Sequence, residues 1–537
     1  MHTSTPNSRL ARSLRSLLSA TMLTLPLFTQ AQHSIWEIGK NDHTSNEMAL
    51  APGSYKDFLA QDFGWEDRFY LVGRDSPKKD WPYVLPGPKD AWGGTSPTAG
   101  IRTHHANILF GLESTPPNGD YKLVIDLLGY QHATPPWLKI TVNGKSFLEK
   151  LPRRPMDNTI TGDLAGATEY VITIPVPSQL LKQGGNDISF TILEGSWLVF
   201  DQVKLTGPAG VKLIQPDKVF IRSVTPAPYE LQATGVQPLL VQAAHLRGKP
   251  MLQVKLDGKQ VFSQRLDTAA YLFEVPMPAV KTAQQSRYDI YADGVLLQTG
   301  KVNRSPQAKQ TPAGYVDTRM GTAHSRWMIA PGPWMPFSMV KLSPDNQDAG
   351  WQAGYDPIYE SVGTFSHIHE WTMAGLGTLP VNGPLKIKEG TQRSEDDGYR
   401  SQIDKSTEKA PLGSYEVVLK DYNIKAELTA TTRCSFQRYT YPKGTDSRIM
   451  IDLQIPAEYG YDLKDVTLRK VSDRRIEGVS RQFTPNAWSG DVNQDYKVHF
   501  VMEFDRPVGK FGTWTNKQVS DKDIISSGPV KDAGAFV

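Results

Sequence analysis

His367 and His369, one residue apart and followed directly by Glu370, stand first among the side chains that could do chemistry. Read as a strand, Thr364-Phe-Ser-His367-Ile-His369-Glu370-Trp371 puts both imidazoles on one face, together with Phe365 and Trp371. Such a pair could ligate a metal, but no third ligand is evident nearby. A hydrogen-bonded structural pair, or polar contacts to a sugar or to a following domain, fits the spacing better. Trp351, between Gly350 and Gly354-Tyr355, is balanced between a packing anchor and a contact surface. Trp81, Tyr83 and Trp92 crowd among Pro and Gly, where exposed rings are expected. An exposed ring can pack on the C–H face of a pyranose while rim groups bond its hydroxyls.

Other reactive residue types point away from catalysis. Glu395-Asp-Asp397 lies beside Gly398 and reads as solvated loop charge. Cys434 is the one cysteine, so no intramolecular disulfide can form, and Glu427-Leu-Thr-Ala-Thr-Thr-Arg-Cys434 predicts a strand holding it as a small buried hydrophobe. No Cys/His spacing suits zinc. No catalytic residue and no metal ligand is therefore assigned.

The elements that must position these groups are strands. Apolar runs are short, while 44 Gly and 39 Pro punctuate the chain. Asn143-Gly144, Asp257-Gly258 and Asp293-Gly294 each join two strand-like runs, and these dipeptides tolerate the positive φ of type I′ hairpin turns. Helical periodicity is scarce, with at most a short turn at 178–182. An all-β protein follows, built of sandwiches. Its 537 residues, with 12 Trp, 21 Tyr and 19 Phe, exclude general disorder and suit three or four domains. No apolar run is long enough to suggest a polytopic membrane protein.

Residues 1–31 read as a secretory signal: Arg9, Arg12 and Arg15, an apolar stretch from Leu17 to Phe28, and a cleavage site after Ala31. A secreted or periplasmic location is expected. The 59 basic and 56 acidic residues give +3, and the three leader arginines account for all of it. The mature chain is neutral, so nucleic acid is not an expected partner. Three modules follow. One spans 32–208 and is Trp-rich; an immunoglobulin-like spacer spans 209–312 and ends in the polar linker Arg304-Ser-Pro-Gln-Ala-Lys-Gln-Thr-Pro312; the last spans 313–537.

The first module opens with Trp36-Glu-Ile-Gly39 and closes with the strand pair from Asn186-Asp-Ile-Ser-Phe to Val199-Phe-Asp201-Gln-Val. This order resembles domain III of the rhamnogalacturonan lyases of polysaccharide lyase family 4. The resemblance implies a galactose-binding-like jelly roll that binds carbohydrate and holds no lyase catalytic residues.

The third module carries five ordered segments: Asp317-Thr-Arg-Met-Gly321-Thr322; Pro331-Gly-Pro-Trp-Met-Pro336-Phe-Ser-Met-Val-Lys-Leu-Ser-Pro344-Asp345; Gly350-Trp351-Gln-Ala-Gly354-Tyr355; Phe365-Ser-His367-Ile-His369; and Ala426-Glu-Leu-Thr-Ala-Thr-Thr-Arg433 with Arg438-Tyr439 beyond. Together they resemble the N-terminal β-sandwich of glycoside hydrolase family 92, the calcium-dependent exo-α-mannosidases. Ser338 departs from that pattern where Gly is usual, Gln437 stands where His precedes Arg-Tyr, and the stretch from Glu370 to Gly375 also differs.

The resemblance implies a mannose pocket between this sandwich and a following α/α barrel. That barrel supplies the general acid, the general base and the calcium ligands. Trp351, Tyr355, His367, His369 and Glu370 stand as candidate sugar-binding residues on the sandwich side. The sequence ends at Asp532-Ala-Gly-Ala-Phe-Val537 without such a barrel, so a non-catalytic N-terminal fragment is expected, with a mannose-containing or other neutral glycan as its partner. The alternative is a stand-alone carbohydrate-binding protein.

Overall fold

The computed structural model describes residues 33–537 except 66, 96–102, 323–328, 347–353, 370–374, 393–397, 457–459, 488–491 and 527. About half of the described residues are strand, helical residues are confined to single short turns, and they form no helical barrel.

Residues 33–207 fold into two five-stranded sheets. One runs His33–Gly39, Leu198–Gly207, Tyr121–Tyr130, Tyr170–Val176, with Val84–Leu85 paired to Leu198–Gly207. The other runs Phe69–Leu71, His105–Leu112, Gly184–Glu194, Trp137–Val142, Lys145–Lys150. The two-residue period sorts the side chains: Leu138, Ile140 and Val142 enter the core while Lys139 and Thr141 face outward. Ile108, Leu123, Ile188, Phe190 and Phe200 complete a core free of solvent.

The second unit is a smaller sandwich. Val219–Pro226, Val236–His245 and Ala270–Pro278 face Lys259–Arg265, Met251–Leu256, Gln284–Ala292 and Val295–Arg304. All three predicted hairpins form. Their central residues have positive φ throughout, from 46° at Asn143 to 84° at Gly144.

The third unit is built on one seven-stranded sheet: Ser343–Asp345, Thr364–Ser366, Gly377–Val381, Arg448–Asp452, Ala533–Phe536, Gly512–Thr515, Gln518–Ser520. It buries both faces. Met450 points with Leu379 and Trp514 into a core shared with a five-stranded sheet that includes Ser401–Lys409, Ile424–Ala430 and Ser435–Thr440. The next residue, Ile451, points with Ala535 into a second core, under a four-stranded sheet that includes Arg475–Ala487 and Val492–Glu503. Successive residues on one strand thus serve opposite layers, as strand geometry requires.

Candidate functional site

The motif residues of the third unit converge on a buried polar cluster. Ser343–Asp345 pairs antiparallel with Thr364–Ser366 and sets Asp345 opposite Thr364. Asp345 Oδ2 accepts from Thr364 Oγ1 at 2.6 Å, and its Oδ1 accepts from Ser366 Oγ at 3.0 Å. His369 Nε2 lies 2.7 Å from Ser366 Oγ and 3.2 Å from Asp345 Oδ1. Burial pushes the Asp345 carboxyl up, and His369 with the two hydroxyls opposes that push. Gly354 closes the cluster. Its φ is +84°, and a Cβ there would lie 2.7 Å from Asp345 Oδ1 and 3.0 Å from His369 Cε1. Only glycine fits this turn.

Tyr355, next in sequence, is buried, and its hydroxyl donates to Glu408 Oε1 at 2.8 Å. Tyr415 donates to the same oxygen at 2.8 Å, and Lys405 Nζ to Glu408 Oε2 at 2.7 Å. Burial alone would raise the Glu408 pKa; Lys405 and the two tyrosine hydroxyls outweigh it and hold the group below its usual range. Arg319, forked onto Asp317 at 2.5–3.1 Å, reaches Glu408 at 3.6 Å. The first four motifs therefore meet through two adjacent hydrogen-bond networks. In this geometry Tyr355 holds the backbone of the Gly354-Tyr355 turn.

The two histidines part company. The strand ends at Ser366, so alternation does not carry through His367 and His369, and the expected common face is not formed. His367 Nδ1 donates to Leu376 O at 2.7 Å, which leaves Nε2 to accept from Ser435 Oγ at 2.9 Å and Gln437 Nε2 at 3.1 Å. Burial pushes its pKa down to about 4, so the ring is neutral. Gln437, where the family pattern has His, also accepts from Thr378 Oγ1 at 2.9 Å and from Tyr439. His367, Thr378 and Gln437 line a cleft of about 860 Å³ that Tyr496 and Phe500 bound from the four-stranded sheet. Trp351, Glu370 and Trp371 lie outside the described residues, as does Glu395-Asp-Asp397.

Three further expectations are corrected. Cys434 is exposed, in the turn between Ile424–Ala430 and Ser435–Thr440, because the predicted strand stops at Ala430. Trp81 and Tyr83 are not exposed; they are 1% and 0% accessible. The Pro/Gly-rich stretch folds back over the jelly roll, pairing Val84–Leu85 with Leu198–Gly207, and carries both rings inside. Trp81 packs against Tyr70, Phe190 and Phe200 at 5.3–6.2 Å between ring centroids, and Tyr83 donates its hydroxyl to Ile160 O. Trp92 is half-buried, edge-on to Tyr55 at 5.1 Å. The exposed tryptophan of this unit is Trp65, at 62%.

The first unit also holds a cluster that sequence spacing hid. Asp126 and Asp201 sit on adjacent strands, and Glu169 precedes a third; one oxygen of each lies within 4.8 Å of the others. Asn41 donates to Asp126 Oδ2 at 2.5 Å, while Asp126 Oδ1 and Asp201 Oδ1 are buried without a hydrogen-bond partner. Burial, then the neighbouring Asp126 and Glu169, pushes the Asp201 pKa up to about 7. An all-oxygen donor set of this kind suits a hard divalent cation such as calcium. It is the one such group among the described residues. The signal was available in part: Leu-Val-Ile-Asp126-Leu-Leu and Leu-Val-Phe-Asp201-Gln-Val each place a carboxylate in an apolar strand.

Comparison with known proteins agrees with the motif reading. Residues 315–537 match the glycosyl hydrolase family 92 N-terminal domain, and residues 34–205 match polysaccharide lyase family 4, domain III, a carbohydrate-binding-module-like family. Among solved structures, the family GH92 α-mannosidase of Bacteroides thetaiotaomicron is 26% identical, over 42% of this chain and 31% of that one, with a TM-score of 0.36. Its complex with mannoimidazole gives 23% identity over 42% and 32%, with a TM-score of 0.36. The GH92 family glycosyl hydrolase ccman5 is 20% identical over 42% and 30%, with a TM-score of 0.33. The chain spans about a third of the length of these proteins. No curated protein matches it. No helix among the described residues is long and apolar enough to cross a membrane. The chain thus resembles the N-terminal part of a glycoside hydrolase family 92 protein, preceded by a module like domain III of polysaccharide lyase family 4.

Proposed function

We propose that this chain is the sugar-facing, non-catalytic portion of a secreted or periplasmic exo-α-mannosidase-type glycoside hydrolase. The observation that carries the reading is the match of residues 315–537 to the family 92 N-terminal domain. The motif residues of that match assemble into the paired networks around Asp345 and Glu408, so the segment bearing Gly354-Tyr355 is built to a fixed shape. The substrate is a mannose-containing or other neutral glycan. Trp351, His369 and Glu370 belong to or border the segments proposed to face it.

The chemistry belongs to a following α/α-barrel domain. Inverting hydrolysis needs one carboxyl to protonate the leaving oxygen and another, about 6.5–9.5 Å away, to activate water on the opposite face. The two buried carboxylates at the motif networks are committed instead: Asp345 and Glu408 are held within hydrogen-bond networks. Calcium, as proposed for the complete enzyme, would be held by that following domain.

The purified mature chain is expected to release no mannose from an α-mannoside above a buffer blank. Release by the chain alone would overturn the division of labour. Localisation is checked by cell fractionation and by the mass of the native protein, which should lack residues 1–31.

A further inference from the structure

The first and third units touch directly, although the second lies between them in sequence. The contact uses the outward face of the sheet that contains Trp137–Val142. Trp137 and Leu193 close over Ile358, and all three are buried, with Tyr359 packed alongside. Lys139 Nζ donates to Ile358 O at 2.9 Å and to Glu360 Oε1 at 2.7 Å. Ser146 Oγ donates to that same carboxylate oxygen at 2.6 Å. The Lys139 and Glu360 side chains are only 13% and 25% exposed. An ammonium so enclosed is tolerable only when acceptors offset its desolvation, and a carbonyl and a carboxylate do so here. The other end of the same face is occupied by the second unit, where Phe220 packs on Leu71 and Leu109.

The clamped residues begin three positions after Tyr355. Their inner side is tied down independently: Asp356 exchanges hydrogen bonds with the Asn346 side chain at 2.7 Å, and Ile403 N donates to Glu360 O at 2.8 Å. The outer side of the turn has the first unit as its support.

We propose that Lys139 is a positioning residue: through Ile358 and Glu360 the first unit clamps the Asp356–Glu360 turn and sets the Gly354-Tyr355 segment of the third. The jelly roll is then a fixed shoulder of the site, not a swinging binding module. The consequence for sugar rests on the reading of that segment as part of a mannose pocket; the clamp itself does not.

The test is hydrogen exchange by mass spectrometry on the whole mature chain, comparing wild type with K139M and K139R. Methionine keeps the apolar stem and removes both hydrogen bonds and the charge; arginine retains donors and charge. In K139M the 354–362 peptide should exchange about tenfold faster or more, since Glu360 is left enclosed without its partner. Reference peptides from Leu198–Gly207 and Ile424–Ala430 should stay at wild-type rates, and K139R should restore protection at 354–362. Unchanged exchange at 354–362 in K139M overturns the clamp. So does uniform acceleration of all three regions, which would make Lys139 a general stabiliser. Titration with methyl α-mannoside separates the two readings: faster exchange at 354–362 with unaltered mannoside affinity upholds the clamp and removes that segment from the sugar pocket.

Discussion

Replacing Trp81 by Ala distinguishes a core anchor from a sugar platform. A tryptophan side chain buries roughly 200 Å², and Trp81 leaves only 1% accessible. At about 25 cal/mol per Å² that is about 5 kcal/mol, reduced to about 3–4 kcal/mol when the compactness of the unfolded chain is counted. Measured Trp→Ala losses of about 3–5 kcal/mol agree. The surrounding rings of Tyr70, Phe190 and Phe200 come from three different strands or loops, so collapse around the gap is restricted. Local opening of the jelly roll should become about 100- to 1000-fold more frequent, at tenfold per 1.4 kcal/mol. Hydrogen exchange over Gly184–Glu194 and Leu198–Gly207 reads this directly. W81F keeps much of the ring and should fall between the two, while W65A, at a 62% exposed site, should change exchange less than threefold. Wild-type exchange rates in W81A, with glycan affinity lost, would refute the packing account and restore the platform.

Three other outcomes follow from buried charges. Calcium at 100 times its dissociation constant should stabilise the first unit by about 2.7 kcal/mol, a melting shift of about 5–10 °C at this domain size; D201N should abolish the shift, and identical melts in calcium and chelator would remove the cation site. His367, held near pKa 4 against about 6.5 when unfolded, binds its proton more weakly in the native state. Its contribution is intact above pH 6.5 and is lost as pH falls toward 4, by at most about 3 kcal/mol; urea unfolding of wild type against H367Q between pH 7.5 and 5 should show the slope only in wild type. Asp452 behaves oppositely. Burial raises its pKa to about 7, and Tyr399 donates to it at 2.5 Å. Its contribution is complete below about pH 4, where the unfolded carboxyl is protonated too, and is lost as pH rises toward 7, so D452N should flatten the third unit's stability profile between about pH 4 and 7.

The architecture was legible because strand signals are local. Asn143-Gly144, Asp257-Gly258 and Asp293-Gly294 each demand positive φ, and each formed its turn. The first and third units were legible through ordered motifs, whose glycines and aspartates answer to geometry such as the 2.7 Å approach at Gly354. Exposure was not legible. Trp81 and Tyr83 sit among turn residues in sequence, but whether a loop folds over a sandwich or away from it is decided by pairing with Leu198–Gly207, more than 110 residues on. The Asp126, Glu169 and Asp201 cluster was hidden for the same reason, since sheet order and not spacing makes these residues neighbours.

Asp345, Ser366 and His369 of the third unit's motifs, and Glu408 beside them, share a direction that sequence could not reveal: they point inward. Asp345 is spent on Thr364, Ser366 and His369, and Glu408 on two tyrosines and a lysine. A catalytic carboxylate must meet substrate and change its protonation during turnover. These groups instead accept from fixed donors on every side, which favours one charge state and one geometry. A recurring motif of Asp, His and Gly is therefore compatible with a domain whose task is to hold a backbone in place. On this view the rigidity of the turn at Gly354-Tyr355 is the contribution of the sandwich. The contact through Lys139 extends that same rigidity across to the jelly roll.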